Sequence, residues 1–304
     1  MKNTVRKTVT RSVLFGVLLS CMAALCILSA ACDPGTTSGG PRQTYDTVEV
    51  MSFNIRTLAN DPGERHWSSR GTHVIEYIEE KGADIVCLQE VRSSQYEDIA
   101  EGLDGVYEIV YYAREGGSDP EGLAICYRPD YRLVSKDMFW LSETPDEMSL
   151  GWGARYYRIC VNVLLETPEG AYLNVFNVHL DHEVEEARVN GLDLIISAAQ
   201  QAGYPTLLAG DFNTDERSGC YTEVANVYDD CAKVAPETDS GVTYQNWGEI
   251  TSGTAIDFCF VSKDICTNRF EILRDAISEG VYYSDHYAIA AEIEVPCVTA
   301  DSIA

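Results

Sequence analysis

Six short segments of this sequence carry, at or beside one end, polar side chains of the kinds that catalysis uses. Each segment is otherwise largely apolar, and its polar residues are almost all carboxylates, carboxamides or imidazoles. Turn chemistry alone would favour glycine, proline, serine and asparagine at such places. The combination therefore indicates a functional site, with the candidate residues Asn54, Glu90, His179, Asp181, Asp211, Asn213, Asp257, Asp285 and His286.

These side chains suit the hydrolysis of a phosphate ester. Carboxylate and carboxamide oxygens are hard ligands that match Mg²⁺ or Mn²⁺, and also Ca²⁺, better than zinc. No Cys/His spacing typical of zinc is present. A divalent ion on one or two carboxylates keeps positions open for water and a phosphate oxygen, and histidines can donate to phosphate or exchange protons. We therefore expect a metal-dependent phosphoesterase.

The elements that must position these residues are short β-like runs, which alternate with helical or loop segments over residues 46–295. Several runs are apolar on both faces, as in sheets that are covered by other layers. Helices are predicted near Thr72–Lys81 and Val184–Ala202. The alternation favours one domain, with strands at Glu49–Ile55, Ile85–Gln89, Glu108–Tyr112, Leu123–Tyr127, Arg158–Leu165, Tyr172–Val178, Thr206–Ala209, Asp257–Val261 and Tyr287–Glu294.

The ordered motifs resemble the endonuclease/exonuclease/phosphatase superfamily over residues 46–295. The stretch Phe139–Pro145 is also similar to one found in secreted bacterial members. The resemblance implies an α/β, four-layer sandwich, in which two mixed β-sheets pack face to face with helices on the outer faces and the site lies at one edge. It is carried by Asn54, Glu90, His179, Gly210-Asp211-Phe212-Asn213, Ile256-Asp257 and Ser284-Asp285-His286, in this order.

The resemblance also implies roles for the residues. Glu90 would be the principal metal ligand, with Asn54 and Asp285 close to the metal or the phosphate. His179 would contact the scissile phosphate.

The same resemblance assigns proton transfer and water activation to four further residues. Asp211 and Asn213 would activate or orient the attacking water, and Asp257 would support His286. Whether Asp211 or His286 is the base stays open, because the pair can titrate as a unit.

Substrate contacts are predicted for Arg56, Arg65 and Asp181. Apurinic-endonuclease-like members carry an acidic residue at the position of Arg56, so the cation here suggests a different metal arrangement or a substrate with an extra anionic group. Arg158 is interpreted as structural, and Arg114 as an ordinary loop residue. The loops expected to set specificity are 60–70, 113–121, 143–156 and 214–250.

The charge balance bears on the partner. The formal net charge is −26, and removal of a leader with its four basic residues would leave −30. Such a surface disfavours non-specific nucleic-acid binding, which needs clustered cations. We expect a monomer that acts on a phosphorylated small molecule or a lipid-type substrate, as a monoester or a diester. The alternatives are a nuclease of the same fold and a non-catalytic surface binding protein.

Residues 1–32 are typical of an export signal with a lipobox-like end. Four basic residues precede an apolar run, and Ser29-Ala30-Ala31 leads to Cys32, whose acylation would anchor the protein outside the cytoplasm. Ordinary secretion and an uncleaved anchor are the alternatives. Residues 33–45 are predicted to be a flexible linker and 296–304 a tail. An extracytoplasmic location would permit, without requiring, disulfides among Cys220, Cys231, Cys266 and Cys297.

Overall fold

The computed structural model describes residues 43–58 and 61–297. The export signal predicted at 1–32 lies outside these ranges, as do most of the linker and the end of the tail. Within them, no helix combines the length and apolarity needed to cross a bilayer.

Strands account for most of the regular structure. In chain order, β1 to β13 are Tyr45–Asn54, Ile85–Arg92, Glu108–Ala113, Glu121–Tyr127, Arg132–Trp140, Ile159–Glu166, Tyr172–His179, Thr206–Asp211, Asp229–Asp230, Glu237–Thr238, Asp257–Val261, Cys266–Leu273 and Ala288–Pro296. The α-helices α1 to α5 are Trp67–Lys81, Ser93–Gly102, Glu185–Ala202, Gly219–Val227 and Cys231–Val234.

The strands form two mixed sheets. The first has the order β10-β12-β13-β1-β2-β4-β3, and the second has the order β5-β6-β7-β8-β11-β9. Each sheet contains a central parallel pair, β1 with β2 and β7 with β8, among antiparallel neighbours. Because parallel strands end at the same edge of a sheet, each pair presents its carboxyl-terminal residues together.

Three buried apolar clusters lie between the four layers of the fold, which are the two sheets and a layer of helices on each outer face. The largest joins the inner faces of the two sheets and includes Val50, Ile125, Val163 and Leu207. A second packs α1 and α2 on the outer face of the first sheet, and a third packs α3 and α4 on the outer face of the second. The predicted sandwich of two mixed sheets with helices outside is confirmed.

The structure adds elements that the pattern did not predict. Among these, β5 (Arg132–Trp140) is largely exposed and carries Ser135-Lys136-Asp137 at its centre, so its sequence lacks the apolar alternation of a half-buried strand. In β12 (Cys266–Leu273) a register irregularity between Thr267 and Arg269 breaks the alternation. The helix α2 was also missed. Cys220 and Cys231 are buried and form no disulfide.

Candidate active site

The ends of the two parallel pairs meet at one edge of the sandwich. Asn54 ends β1, and His179 and Asp211 end β7 and β8, where they are register partners. The carboxamide Nδ2 of Asn54 donates to Glu90 Oε1 at 3.1 Å and to Asp211 Oδ2 at 2.9 Å. Asn54 thereby links a carboxylate of the first sheet to one of the second.

Glu90 lies on a β-bulge within β2 rather than at the strand end that the sequence predicted. The pairing of β2 with β4 shifts between Leu88 and Val91, and Glu90 has a φ of 61°. Bulges of this kind re-aim a side chain next to a site, at a cost of about 1 kcal/mol for the left-handed backbone. Burial raises the pKa of Glu90, but the N–H of Thr57, 2.8 Å from Oε2, and the charge of Arg56 bring the net shift below the ordinary value.

Asp285 lies beside this carboxylate. Burial and the charge of Glu90 raise the pKa of Asp285, which the His286 and Arg56 charges partly offset. The Nη1 of Arg56 is 3.6 Å from Asp285 Oδ2, and its Nε donates to Asp61 at 3.2 Å. Two neighbouring carboxylates with one partly engaged arginine leave hard oxygen donors available, so the set fits a divalent cation.

His286 is held between two carboxylates of the second sheet. Its Nδ1 is 2.9 Å from Asp257 Oδ2, and its Nε2 is 3.7 Å from Asp211 Oδ2. Burial lowers the pKa of His286, but Asp257 and then Asp211 raise it, with a net value of about 10. These three residues also have ligand atoms within 4.8 Å of one another. Because His286 Nδ1 already bonds Asp257, the trio suits proton handling better than ion binding.

Asp211 and His179 complete the polar cluster. Asp211 Oδ1 accepts from the N–H of Asn213 at 2.8 Å, and Oδ2 lies 3.6 Å from His179 Nε2. Burial and then Asp257 raise the pKa of Asp211 to about 7. Burial and then the charge of Arg158 lower the pKa of His179 well below its usual value. At neutral pH the site therefore pairs a neutral His179 with a protonated His286.

Gly210 of the GDFN motif is required by the backbone. Its φ is 148°, and a Cβ there would collide with the carbonyl oxygen of Val178 on the adjacent strand. Asn213 has a φ of 51°, and its Nδ2 donates to the carbonyl of Leu180 at 3.0 Å. These two positions fix the approach of Asp211 to His179.

The cluster opens into a cleft of about 390 Å³. Predicted residues that line it are Arg56, Glu90, His179, Asp211, Asn213, Asp285 and His286. Lining residues with no definite predicted site role are Thr57, Arg114, Glu121, Tyr156, Arg158, His182, Tyr244 and Ile256. Arg114, Glu121, Tyr156 and Tyr244 do lie in loops that were expected to set specificity.

Comparison with known proteins agrees with this geometry. Residues 51–286 match the model of the Endonuclease/Exonuclease/phosphatase family. The chain belongs to this family. Its members are hydrolases that act on phosphate esters and generally use divalent metals.

Two solved structures illustrate the similarity. An endonuclease/exonuclease/phosphatase from Bacteroides vulgatus is 29% identical, with a TM-score of 0.78 over 82% of this chain and 99% of that one. A mannosyl-6-phosphatase from Bacteroides thetaiotaomicron is 29% identical, with a TM-score of 0.74 over 81% of this chain and 99% of that one.

The curated relatives extend the similarity beyond bacteria. An uncharacterised protein of Acanthamoeba polyphaga mimivirus is 29% identical over 64% of this chain and 79% of its own length. Human Protein angel homolog 2 is 24% identical over 57% of this chain, and the match spans only 36% of that protein.

Four predicted site residues do not line the cleft of this family member: the buried Asn54, described above, and Arg65, Asp181 and Asp257. The side chain of Arg65 is 42% exposed, with Nη2 3.9 Å from Glu249 Oε1. The carboxylate of Asp181 accepts hydrogen bonds from the N–H groups of Glu183 and Val184, at the start of α3. Asp257 is buried behind His286. Asp181 therefore holds a turn, whereas Asp257 acts through the histidine.

A buried arginine, Arg70, anchors the segments that carry Asn54 and Asp285. Arg70 is 1% exposed, and its guanidinium lies 5.2 Å from the Trp67 ring centroid. It donates to four backbone carbonyls, those of Ile55, Arg56, Arg65 and Tyr283. It thus joins the chain just after Asn54 to the chain just before Asp285.

A second buried contact joins the two sheets. The Nε2 of Gln89 donates to Asn177 Oδ1 at 2.8 Å, and Asn177 Nδ2 donates to the carbonyls of Leu88 and Ala124. Both side chains are completely buried. Gln89 is adjacent to Glu90, and Asn177 lies two residues before His179, so this contact sets the spacing of the two halves of the site.

Proposed function

We propose that this protein is a divalent-metal-dependent phosphoesterase that hydrolyses a small phosphorylated molecule, of the sugar phosphate type, by attack of water on phosphorus. The observation that carries the proposal is the presence in one cleft of two kinds of group. The carboxylates of Glu90 and Asp285 lie on one side, and Asp211 with His179 and His286 lies on the other.

Glu90 and Asp285 are the residues that would hold the metal, with Asn54 beside them. Mg²⁺ and Mn²⁺ prefer such oxygen donors, and Ca²⁺ also accepts them. When bound, the ion would polarise the phosphoryl group and neutralise charge on its oxygens. Arg56 adds a fixed positive charge next to Asp285 and supports the binding of a second phosphate oxygen.

The remaining steps belong to the side chains around Asp211. Its carboxylate, oriented by Asn213 and Asn54, accepts a proton from the attacking water as the new P–O bond forms. The P–O bond to the leaving alcohol breaks in the same reaction, and solvent supplies the proton that the leaving oxygen takes up. The protonated His286, held by Asp257, donates a hydrogen bond to the phosphoryl oxygens as negative charge develops. His179, neutral at physiological pH, supplies an N–H donor without adding charge.

A small substrate is favoured over a polynucleotide. The net charge of −26 repels polyanions at long range, whereas a compact ester is held by local groups. The similarity to a mannosyl-6-phosphatase supports the same class. The nuclease alternative is motivated by an exoribonuclease subunit, Ccr4 of Mycosarcoma maydis, which is 27% identical over 60% of this chain.

The proposal includes export and a lipid anchor at Cys32. Acylation would hold the enzyme at the outer surface of a membrane, where phosphorylated solutes reach it. Labelled palmitate should be incorporated into the full chain when it is expressed in a bacterium, and Cys32→Ser should abolish that labelling. Labelling of Cys32→Ser at the wild-type level would refute the anchor.

The catalytic proposal is tested with a phosphoester panel and plasmid DNA, each with Mg²⁺, Mn²⁺ or Ca²⁺ and with EDTA. We expect metal-dependent turnover of small monoesters, with duplex DNA a poor substrate even at low salt. Glu90→Gln should abolish turnover, because it removes the charge that holds the ion. The matched control is Glu79→Gln, at an exposed position on α1.

Individual roles are tested on the substrate that the panel identifies. His179→Ala, Asp211→Asn and His286→Ala should each lower kcat by about 10²-fold or more, with losses that do not add when combined. Wild-type behaviour of any one variant would remove that residue from the mechanism. Efficient nicking of DNA with small esters untouched would favour the nuclease.

A further inference from the structure

One wall of the cleft is formed by two arginines that the mechanism above does not use. Arg114 and Arg158 line it together with Tyr156 and His182. Arg158 is 6% exposed, and its Nη2 lies 3.3 Å from His182 Nδ1. Within the described part of the chain, no side-chain or backbone atom accepts a hydrogen bond from its Nε or Nη1. Two donors of a buried cation are therefore available to a ligand.

The two arginines differ in charge compensation. Arg114 Nη1 lies 2.6 Å from Glu121 Oε1, so this pair is close to neutral. Burial and the charge of Arg114 lower the pKa of Arg158, and the charges of Glu121, Asp211 and Asp181 offset this only in part. Burying a cation without a paired anion costs stability, and a role in ligand binding would account for its presence here. An anionic ligand would supply the missing charge.

Strand order places this cation relative to the reaction centre. Cys160 pairs with Val178 across β6 and β7, so the antiparallel register places Arg158 opposite Leu180, the residue after His179. Asp211 is paired with His179 from the other side, on β8. Neighbouring strands are separated by about 5 Å, so the backbones at Arg158 and Asp211 are about 10 Å apart, with His179 between them. A phosphate at His179 leaves room for a second group towards Arg158.

We propose that Arg158, with Arg114 and His182 beside it, forms a second anion subsite, and that the preferred substrates are small phosphomonoesters that carry a second anionic group. That group is a phosphate or a carboxylate on the same molecule. A guanidinium with two free donors suits either, because both present paired oxygens to its fork. This inference rests on the proposed phosphoesterase function, and it specifies the substrate class of the same cleft.

The test compares matched substrates with the full chain. Fructose 1,6-bisphosphate is compared with fructose 6-phosphate, and 6-phosphogluconate with glucose 6-phosphate, so that the two pairs distinguish a phosphate from a carboxylate. The wild type should prefer at least one doubly anionic member in kcat/KM by about tenfold to a hundredfold, the range expected for hydrogen bonds to charged groups. Arg158→Gln should lose most of this preference, and Arg158→Lys should keep part of it.

The control is Arg132→Gln. Arg132 is an exposed residue of the edge strand β5, and its side chain pairs with Glu166. This variant should keep the wild-type preference. Because the preference is a ratio within one variant, partial misfolding does not produce or remove it. Equal kcat/KM for both members of each wild-type pair would overturn the subsite. So would an equal loss for both members in Arg158→Gln, which would mean that Arg158 contacts the reacting phosphate.

A second measurement does not depend on turnover. With EDTA present, inorganic phosphate should raise the Tm of the wild type and of Arg132→Gln, and Arg158→Gln should lose most of that shift. If the wild type hydrolyses no small monoester, the proposed function fails, and the phosphate shift alone decides the subsite. An undiminished shift in Arg158→Gln would overturn it.

Discussion

Arg70 and Arg158 are both nearly inaccessible, at 1% and 6% exposure, but their donors are used differently. Arg70 lies between the rings of Trp67 and Trp247, and its N–H groups are satisfied by backbone carbonyls from three stretches of chain. Arg158 has one polar contact, with His182, and two donors without an acceptor in the described residues.

The difference separates two uses of a buried cation. A guanidinium saturated by carbonyls fixes the relative position of the segments that carry them. A guanidinium with unsatisfied donors beside a cleft lowers the local stability of the fold and is suited to binding a ligand. The number of satisfied donors, more than burial, distinguishes Arg70 from the arginine that we propose binds a ligand.

The largest effect is expected for Arg70→Met. Removing this guanidinium leaves four carbonyls without their donor, and the free energy of unfolding should fall by about 4 kcal/mol. Urea denaturation followed by circular dichroism measures this change. A loss below about 1 kcal/mol would show that water replaces the guanidinium, and the contrast with Arg158 would fail. Arg132→Met, at an exposed arginine, is the control.

A smaller loss is expected for Asn177→Ala, which removes the contact between the sheets. The variant removes one of the three acceptors of Gln89 Nε2 and the side-chain donor to two core carbonyls, so the free energy of unfolding should fall by about 2 to 3 kcal/mol. Turnover should also fall, since Asn177 spaces the two halves of the site. Asn190→Ala, at a surface position of α3, should change neither quantity. Wild-type kcat in Asn177→Ala would remove this residue from positioning.

Arg158→Met, in contrast, should raise the free energy of unfolding or leave it unchanged. Replacing a poorly compensated buried cation by an apolar chain should leave the free energy of unfolding within about 1 kcal/mol of the wild type, or raise it. The same denaturation experiment reports the result. A loss comparable to that of Arg70→Met would mean that Arg158 holds the fold, which would undermine its assignment to a ligand.

The smallest effect is expected for Arg65→Gln. Its side chain is 42% exposed and 3.9 Å from Glu249, and exposed ion pairs of this kind contribute less than about 0.5 kcal/mol. The backbone carbonyl that Arg70 binds is retained. Both KM and the denaturation midpoint should therefore match the wild type. A raised KM would restore the substrate contact that the sequence predicted for Arg65.

The family resemblance predicted the sandwich, and the ends of the apolar runs indicated one part of the candidate site for identifiable reasons. Residues such as His179 and Asp211 end buried apolar runs, so their polar chemistry is conspicuous in the sequence. Arg158 also precedes such a run, but its importance depends on β6 lying next to β7, and strand order is not encoded in local pattern. Arg114 faces the cleft because β3 and β4 form a hairpin that pairs it with Glu121, which again requires the fold.

The same limit explains Glu90 and the missed strands. A one-residue bulge cannot be read from a run of apolar residues, so Glu90 was predicted to follow its strand rather than to lie within it. The edge strand β5 packs only a few partly buried side chains, Leu133, Met138 and Trp140, against the core, and they do not alternate regularly. Local pattern finds elements with buried faces, whereas irregular pairing and exposed edges depend on the neighbouring strands.

The way in which Arg70 holds the segment after β1 has a consequence for how this scaffold can diversify. Its bonds are made to main-chain carbonyls, which every amino acid supplies, so the side chains of residues 55, 56 and 65 are not needed for anchoring. Descendants could exchange the Arg56 side chain, and with it the charge at the cleft rim, while Asn54 and Asp285 stay in place. A single interior arginine thus allows the selectivity of the cleft to change while the central residues keep their positions.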